Sequence, residues 1–163
     1  MSRRALLSNT TLKAFFHIPA DVDGLRRHYL LSSAELDLIR TRRRDENRFG
    51  LAVHLALLRH PGQGWLEGTV LPPPFIDWLG EQLHLPSDVL TNYAERGATR
   101  TAHHMLAMRH LDLTPFMPDH AELAADIATT SAIATDNGGK IVEALITGLK
   151  ERRLALPSAG TIE

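Results

Sequence analysis

The residues best suited to chemistry are the run Arg40-Thr-Arg-Arg-Arg-Asp-Glu-Asn-Arg48, with five arginines in nine positions. Guanidinium groups grip phosphate oxygens and guanine edges with two donors at once, which lysine does not do. If the run is helical, Arg40, Arg44 and Arg48 stand at i, i+4 and i+8 and share a face. Arg42 and Arg43 add charge beside them. An apolar helix follows directly, so its unpaired N–H groups and positive dipole end would lie next to this charge and attract phosphate. Asn47 is then a candidate reader of adenine. The plain alternative is a solvated basic turn that pairs with Asp45 and Glu46. A second group runs Asn92-Tyr-Ala-Glu-Arg-Gly-Ala-Thr-Arg-Thr-Ala-His-His104. It predicts a short helix ending near Arg96-Gly97 and another starting near Thr99, the pattern of a helix-turn-helix. The second helix would present Thr99, Arg100, His103 and His104 from its N-terminal end, where recognition helices meet bases. The plain alternative here is an ordinary helical hairpin.

Other chemistries find little support. The chain has no cysteine, which removes disulfides, thiolate metal sites and Cys nucleophiles. Nine histidines invite a metal reading, but no His-Glu-x-x-His occurs and His103 and His104 are adjacent. His54, inside the apolar helix, reads as a satisfied core or groove residue. No phosphate-binding glycine loop and no Gly-x-Ser-x-Gly is present. Asp21 and Asp23 read as first-turn helix acids. No catalytic residue, metal ligand or cofactor is assigned to these residues.

The elements that must hold the two groups are helices. Ile141, Val142, Leu145, Ile146 and Leu149 form one amphipathic stripe. Leu123, Ala124, Ile127 and Ala128 form another, after an Asp119-x-x-Glu122 opening. Ser32 and Glu35 make a capping box before Leu36 and Ile39. Pro72 to Pro74 introduce Phe75, Ile76, Leu79 and Leu83. From Asn47 to Arg59 the pattern is apolar on nearly every side, the mark of a central buried helix. No window alternates as a strand would. The expected fold is all-α, with about eight or nine short helices in one or two helix-turn-helix-like subdomains and no sheet.

The 163 residues, 44% apolar and 23% charged, suit an ordinary globular chain. The net charge of −1 hides an asymmetry, because residues 1–60 carry 11 basic against 6 acidic side chains and residues 61–163 carry 7 against 13. Such asymmetry hints at a surface facing a polyanion. Fifteen of the 18 basic residues are arginine. The opening residues lack the apolar run of a signal peptide, and no stretch approaches the roughly 20 apolar residues of a membrane span. Three glycines and four prolines in 61–74 mark the strongest break, with a weaker one at 112–118. The expected division is a subdomain over 1–62 bearing the arginine run, a Pro/Gly linker over 63–74, a second helical subdomain over 75–157, and the start of a truncated further segment over 158–163.

The stretch from Leu38 to Gly62, Leu-Ile-Arg-Thr-Arg-Arg-Arg-Asp-Glu-Asn-Arg-Phe-Gly-Leu-Ala-Val-His-Leu-Ala-Leu-Leu-Arg-His-Pro-Gly, resembles the N-terminal region of Tn3-family transposases. Tyr93-Ala94-Glu95-Arg96 with Thr99, Arg100 and His103 is similar to a later block of that family. Ala134-Thr135-Asp136 leading to Val142-Glu143-Ala144-Leu145, and Pro157 to Glu163, resemble two more in the same order. The chain departs from the pattern at Gly97-Ala98 and at His104. The resemblance implies a DNA-associated bacterial, cytoplasmic protein, in which an N-terminal helical segment binds the terminal inverted repeats of a replicative transposon. It implies partners in double-stranded DNA and in the rest of the transposase, acting as a dimer on paired ends. The divalent metal and its acidic ligands would lie downstream of this segment. The DNA contacts it implies are Arg40, Arg42, Arg43, Arg44, Asn47, Arg48, Arg96, Thr99, Arg100, His103 and His104. A protein–protein docking module within the same assembly is the alternative.

Overall fold

In a computed structural model of the chain, which describes residues 9–93 and 97–162, the helices Val22–Tyr29, Ser33–Arg40 and Gly138–Glu151 start at capping side chains. Helix α1 covers Asn9–Phe15. Helix α2, Val22–Tyr29, starts after Asp21, whose carboxylate accepts a hydrogen bond from the Gly24 N–H at 2.9 Å. Helix α3, Ser33–Arg40, opens on the expected capping box: the Ser32 hydroxyl accepts from the Glu35 N–H at 3.1 Å, and the Glu35 carboxylate accepts from the Ser32 N–H at 2.8 Å. Helix α4, Asp45–Arg59, buries every residue from 49 to 58. It closes at Gly62, whose φ of 104° lets its N–H reach back to the Leu57 carbonyl at 3.0 Å. Helix α5, Pro73–Leu83, has proline in its first turn, where no N–H is needed. A 3₁₀ turn, Ser87–Asn92, precedes α6, Gly97–His110. Then come a 3₁₀ turn, Pro118–His120, and helices α7, Ala121–Ala134, α8, Gly138–Glu151, and α9, Ala159–Ile162. Among the described residues there is no strand, only an isolated bridge between Thr114 and Leu154. The all-α expectation holds, and among the described residues no helix is long and apolar enough to cross a membrane.

The chain forms two compact units, 18–111 and 1–17 with 112–163. In the first, α4 is the axis, packed by α2, α3, α5, the Ser87–Asn92 turn and α6. Tyr29 meets Phe75 edge to face at 4.8 Å between ring centres. Trp78 Nε1 and Gln82 Nε2 both donate to the Tyr29 carbonyl, and Gln82 Oε1 accepts from the Leu31 N–H, which ties the end of α2 to α5. Arg59 at the end of α4 pairs with the buried Glu35 at 3.2 Å and donates to the His28 and Leu30 carbonyls. Glu35 therefore caps α3 and neutralises α4's last arginine together.

The second unit is built differently. Leu12 joins Val142, Leu145, Ile146, Leu149, Leu154 and Leu156 in a purely aliphatic cluster, with Phe15, Phe16 and Phe116 against it. The stripe read from residues 141–149 is its centre. Helices α7 and α8 pack as a hairpin, and Asn137 caps α8 by accepting from the Lys140 N–H at 3.2 Å.

Three local expectations differ from what is observed. The 63–74 stretch does not separate two subdomains, because it lies inside the 18–111 unit, where Trp65 stacks on Tyr93 at 5.5 Å between ring centres. One seam falls instead at 111/112, within the weaker break, and α1 joins residues from the far end of the chain. Asp119 does not open α7: it sits in the Pro118–His120 turn, and α7 has no side-chain cap.

Candidate nucleic-acid interface

The arginine run is a bent turn between two helices rather than one helix. The Thr41 and Arg42 N–H groups donate to the Leu38 and Ile39 carbonyls, the short i−3 pattern that tightens a helix end. Arg44 then turns extended, at φ −108° and ψ 145°, before α4 starts. Arg40 ends α3, Arg44 precedes α4 and Arg48 lies inside α4, so the expected i, i+4, i+8 face does not form.

Each arginine has its own setting. Arg48 braces the turn: its Nε donates to the Arg42 carbonyl at 2.8 Å, and its Nη1 pairs with Asp45 at 3.3 Å. Arg42 is half-buried and donates to the Thr41 hydroxyl. Arg40 is exposed beside Asp37 at 3.1 Å, and Arg44 is exposed with Glu46 at 3.9 Å. Surface pairs of this kind contribute little and exchange readily for another anion. Arg43 is exposed, and among the described residues none pairs with it. No side chain caps the first turn of α4. Arg43 and Arg44 therefore flank the positive end of a 15-residue helix. Asn47 lies half-buried in that first turn.

Helix α6 presents a different face from the one expected. Thr99, Arg100 and His104 are half-buried and His103 is 5% exposed. The His103 ring stacks on Tyr93, and Nδ1 shares a 2.9 Å hydrogen bond with the Tyr93 hydroxyl. Tyr93 in turn lies over Gly50 of α4, where any side chain would overlap its ring. Arg100 places its guanidinium 4.3 Å from the centre of the Trp65 ring and donates to the Trp65 carbonyl at 2.9 Å. His104 packs against Gly64 and faces His54. Arg100, His103 and His104 thus hold α6 to α4 and to the 64–66 loop. Beyond its exposed ends at Gly97, Ala98 and His110, α6 turns Thr101, Ala102, Met105 and Arg109 outward. Their i, i+1, i+4, i+8 spacing was visible, but their plain composition gave no reason to choose that side. Arg96 lies outside the described residues.

The two groups nevertheless belong to one unit. Helix α4 packs on α6, and the Arg42 charge reaches His103. Burial first, and then Arg42, holds the His103 pKa below its usual value. Burial also lowers His104. It drives His54 down to about 3, with His104, Arg100 and His103 adding to the effect. Burial raises the Tyr93 hydroxyl well above its ordinary range. These histidines are neutral at physiological pH and add no positive charge to a surface. Among the described residues no group of three His, Asp or Glu side chains could hold a metal ion.

A family model described as a domain of unknown function (DUF4158) matches residues 6–163. The chain is 35% identical over its whole length to the transposase for transposon Tn501 of Pseudomonas aeruginosa, and 33% identical to that for Tn3926 of Escherichia coli. It is 27% identical over 98% of its length to the transposase for Tn1546 of Enterococcus faecium. The chain spans 16% of the length of each of these relatives. The matched part is their N-terminal segment.

Proposed function

Because the chain belongs to the DUF4158 family and matches the N-terminal part of Tn3-family transposases, we propose that it recognises DNA for a replicative transposase. Its target is the terminal inverted repeat, and it does no chemistry of its own. The observation that carries this reading is the arginine turn at the uncapped start of α4, where Arg43 and Arg44 stand exposed beside a helix N-terminus. Backbone phosphates dock there, through guanidinium forks and through the first N–H groups of α4. Arg40 gives up Asp37 for a further phosphate. Arg42 and Arg48 hold the turn in shape. Sequence reading falls to side chains facing outward from the same unit: Asn47 beside the turn, and the Thr101, Ala102, Met105 and Arg109 face of α6. Arg100, His103 and His104 position α6 and do not read bases themselves. The divalent metal and its acidic ligands belong to the part of the transposase beyond this segment.

Footprinting on a transposon end tests the reading. Wild type is expected to protect a stretch of the inverted repeat. An Arg43→Ala/Arg44→Ala variant is expected to keep its fold by circular dichroism and lose the protection. Equal protection by both proteins would remove the turn from the interface.

The alternative is a docking role within the transposase assembly. Inverted-repeat DNA that is not shifted at low salt would favour docking over DNA recognition.

A further inference from the structure

His54 is an anomaly in the 18–111 unit. It is 1% exposed, in the middle of α4, and among the described residues neither ring nitrogen has a hydrogen-bond partner. A neutral imidazole carries one donor and one acceptor, and leaving them unmet in the interior costs free energy. Buried polar groups in native proteins nearly always have partners, in protein, water or ligand. His54 is read from the sequence as a satisfied core or groove residue; its hydrogen bonds are not satisfied among the described residues.

The ring lines an open cleft of about 220 Å³ formed with Gly64, Trp65, Leu66, Arg100, Thr101 and His104. That is several times the roughly 30 Å³ that a water molecule occupies. Its charge is one-sided. Arg100 brings a guanidinium to the wall, near enough to depress protonation of His54, and none of the described residues lining it is acidic. A cation would meet Arg100 with nothing to offset it. An oxyanion would meet a guanidinium and two imidazole rings in a cleft that opens to solvent. Arg100 is already anchored on the Trp65 carbonyl and ring, so its charge is held in place before any ligand arrives.

We propose that this cleft seats an oxyanion, a phosphate or a group of similar size and charge, which takes the hydrogen bond that His54 makes nowhere else. The proposal stands whether or not the arginine turn binds DNA. The oxyanion comes either from free phosphate or from a backbone phosphate of DNA, and the test separates the two.

The experiment follows the histidine side-chain nitrogen signals of the full 163-residue chain, with His54 assigned from a His54→Phe spectrum. One arm titrates inorganic phosphate against sodium chloride at matched ionic strength, and the other titrates inverted-repeat DNA. Phosphate is expected to move the His54 signals saturably, and chloride is not. Arg100→Met keeps the apolar stem of the side chain, is checked for folding by circular dichroism, and is expected to weaken phosphate at least about tenfold. Signals that move with phosphate but not DNA assign the site to a free oxyanion, and signals that move with DNA assign it to the backbone. His54 signals that respond to neither, or that respond equally in Arg100→Met, overturn the proposal. Loss of DNA binding in the Arg43→Ala/Arg44→Ala variant with an unchanged phosphate response would bear on the arginine turn alone.

Discussion

The two units solve the problem of a helical core in opposite ways. Around Leu149 the 1–17 and 112–163 unit is aliphatic, and its tight spot is Gly148, where Ile127 would lie 3.0 Å from an added methyl. Around α4 the 18–111 unit mixes aliphatic packing with a buried ion pair, stacked rings and neutral histidines, so side chains distant in sequence must meet in fixed orientations. The first kind of core is non-directional and tolerant. The second is directional, and it holds loops and a helix N-terminus in defined positions. The charge balance points the same way. Counted by unit, the 18–111 part has 11 basic and 11 acidic residues and the other has 7 and 8. The asymmetry between sequence halves disappears, and what remains is one local basic turn at 40–48.

The largest expected effects come from breaking the buried pair or the aliphatic core. Glu35→Ala takes the carboxylate from a part-exposed Arg59, which keeps its bonds to the His28 and Leu30 carbonyls, and removes half of the α3 capping box, at a combined cost of about 3 kcal/mol. Trp65 and Trp78 are the two tryptophans of the chain and both lie in the 18–111 unit, so fluorescence-detected denaturation reads that unit alone. Leu149→Ala should cost about 3 kcal/mol through a cavity in the other unit. It should lower the circular dichroism midpoint and leave the tryptophan midpoint in place. A tryptophan transition that moves equally would show that the contrast between the units does not extend to their stability.

Acid should separate them next. Burial holds the folded His54 pKa down to about 3, against about 6.5 for an ordinary histidine. The unfolded chain therefore binds more protons once the pH falls below 6.5. The stability due to a neutral His54 is complete above that value and drains away as the pH approaches 3. Going from pH 7 to pH 5 should remove about 2 kcal/mol, with His103 and His104 acting in the same direction. The tryptophan-detected midpoint should fall, and His54→Phe should flatten its pH dependence. A smaller loss, about 1 to 2 kcal/mol, is expected for Gly50→Ala, whose methyl would push Tyr93 off α4. Its signature is a tryptophan emission shift as Trp65 loses its stacking partner.

These contrasts also mark what the sequence could say. The 141–149 stripe was readable because a continuous amphipathic helix repeats its period locally. The Ser32–Glu35 capping box was readable because its partners are three residues apart. The second partner of Glu35, Arg59, is 24 residues away and no local pattern marks it. The buried face of α6 is not legible locally because Thr99, Arg100, His103 and His104 are residue types common on surfaces. Trp65 and Tyr93, brought beside them by α4, turn that face inward. The arginine run was found for its composition, while its bend at 41–44 depends on two carbonyls of α3 that accept backbone N–H groups.

The central claim is that the exposed arginines at the start of α4 bind DNA through its backbone, and the salt dependence of binding tests it most directly. Affinity for an inverted-repeat duplex is measured across a series of salt concentrations for wild type and for Arg43→Ala/Arg44→Ala. Each phosphate contact contributes about −0.9 to the slope of log affinity against log salt. The expected result is a variant slope shallower by about 2, with weaker binding at low salt. Equal slopes and equal affinities for the two proteins would contradict the claim.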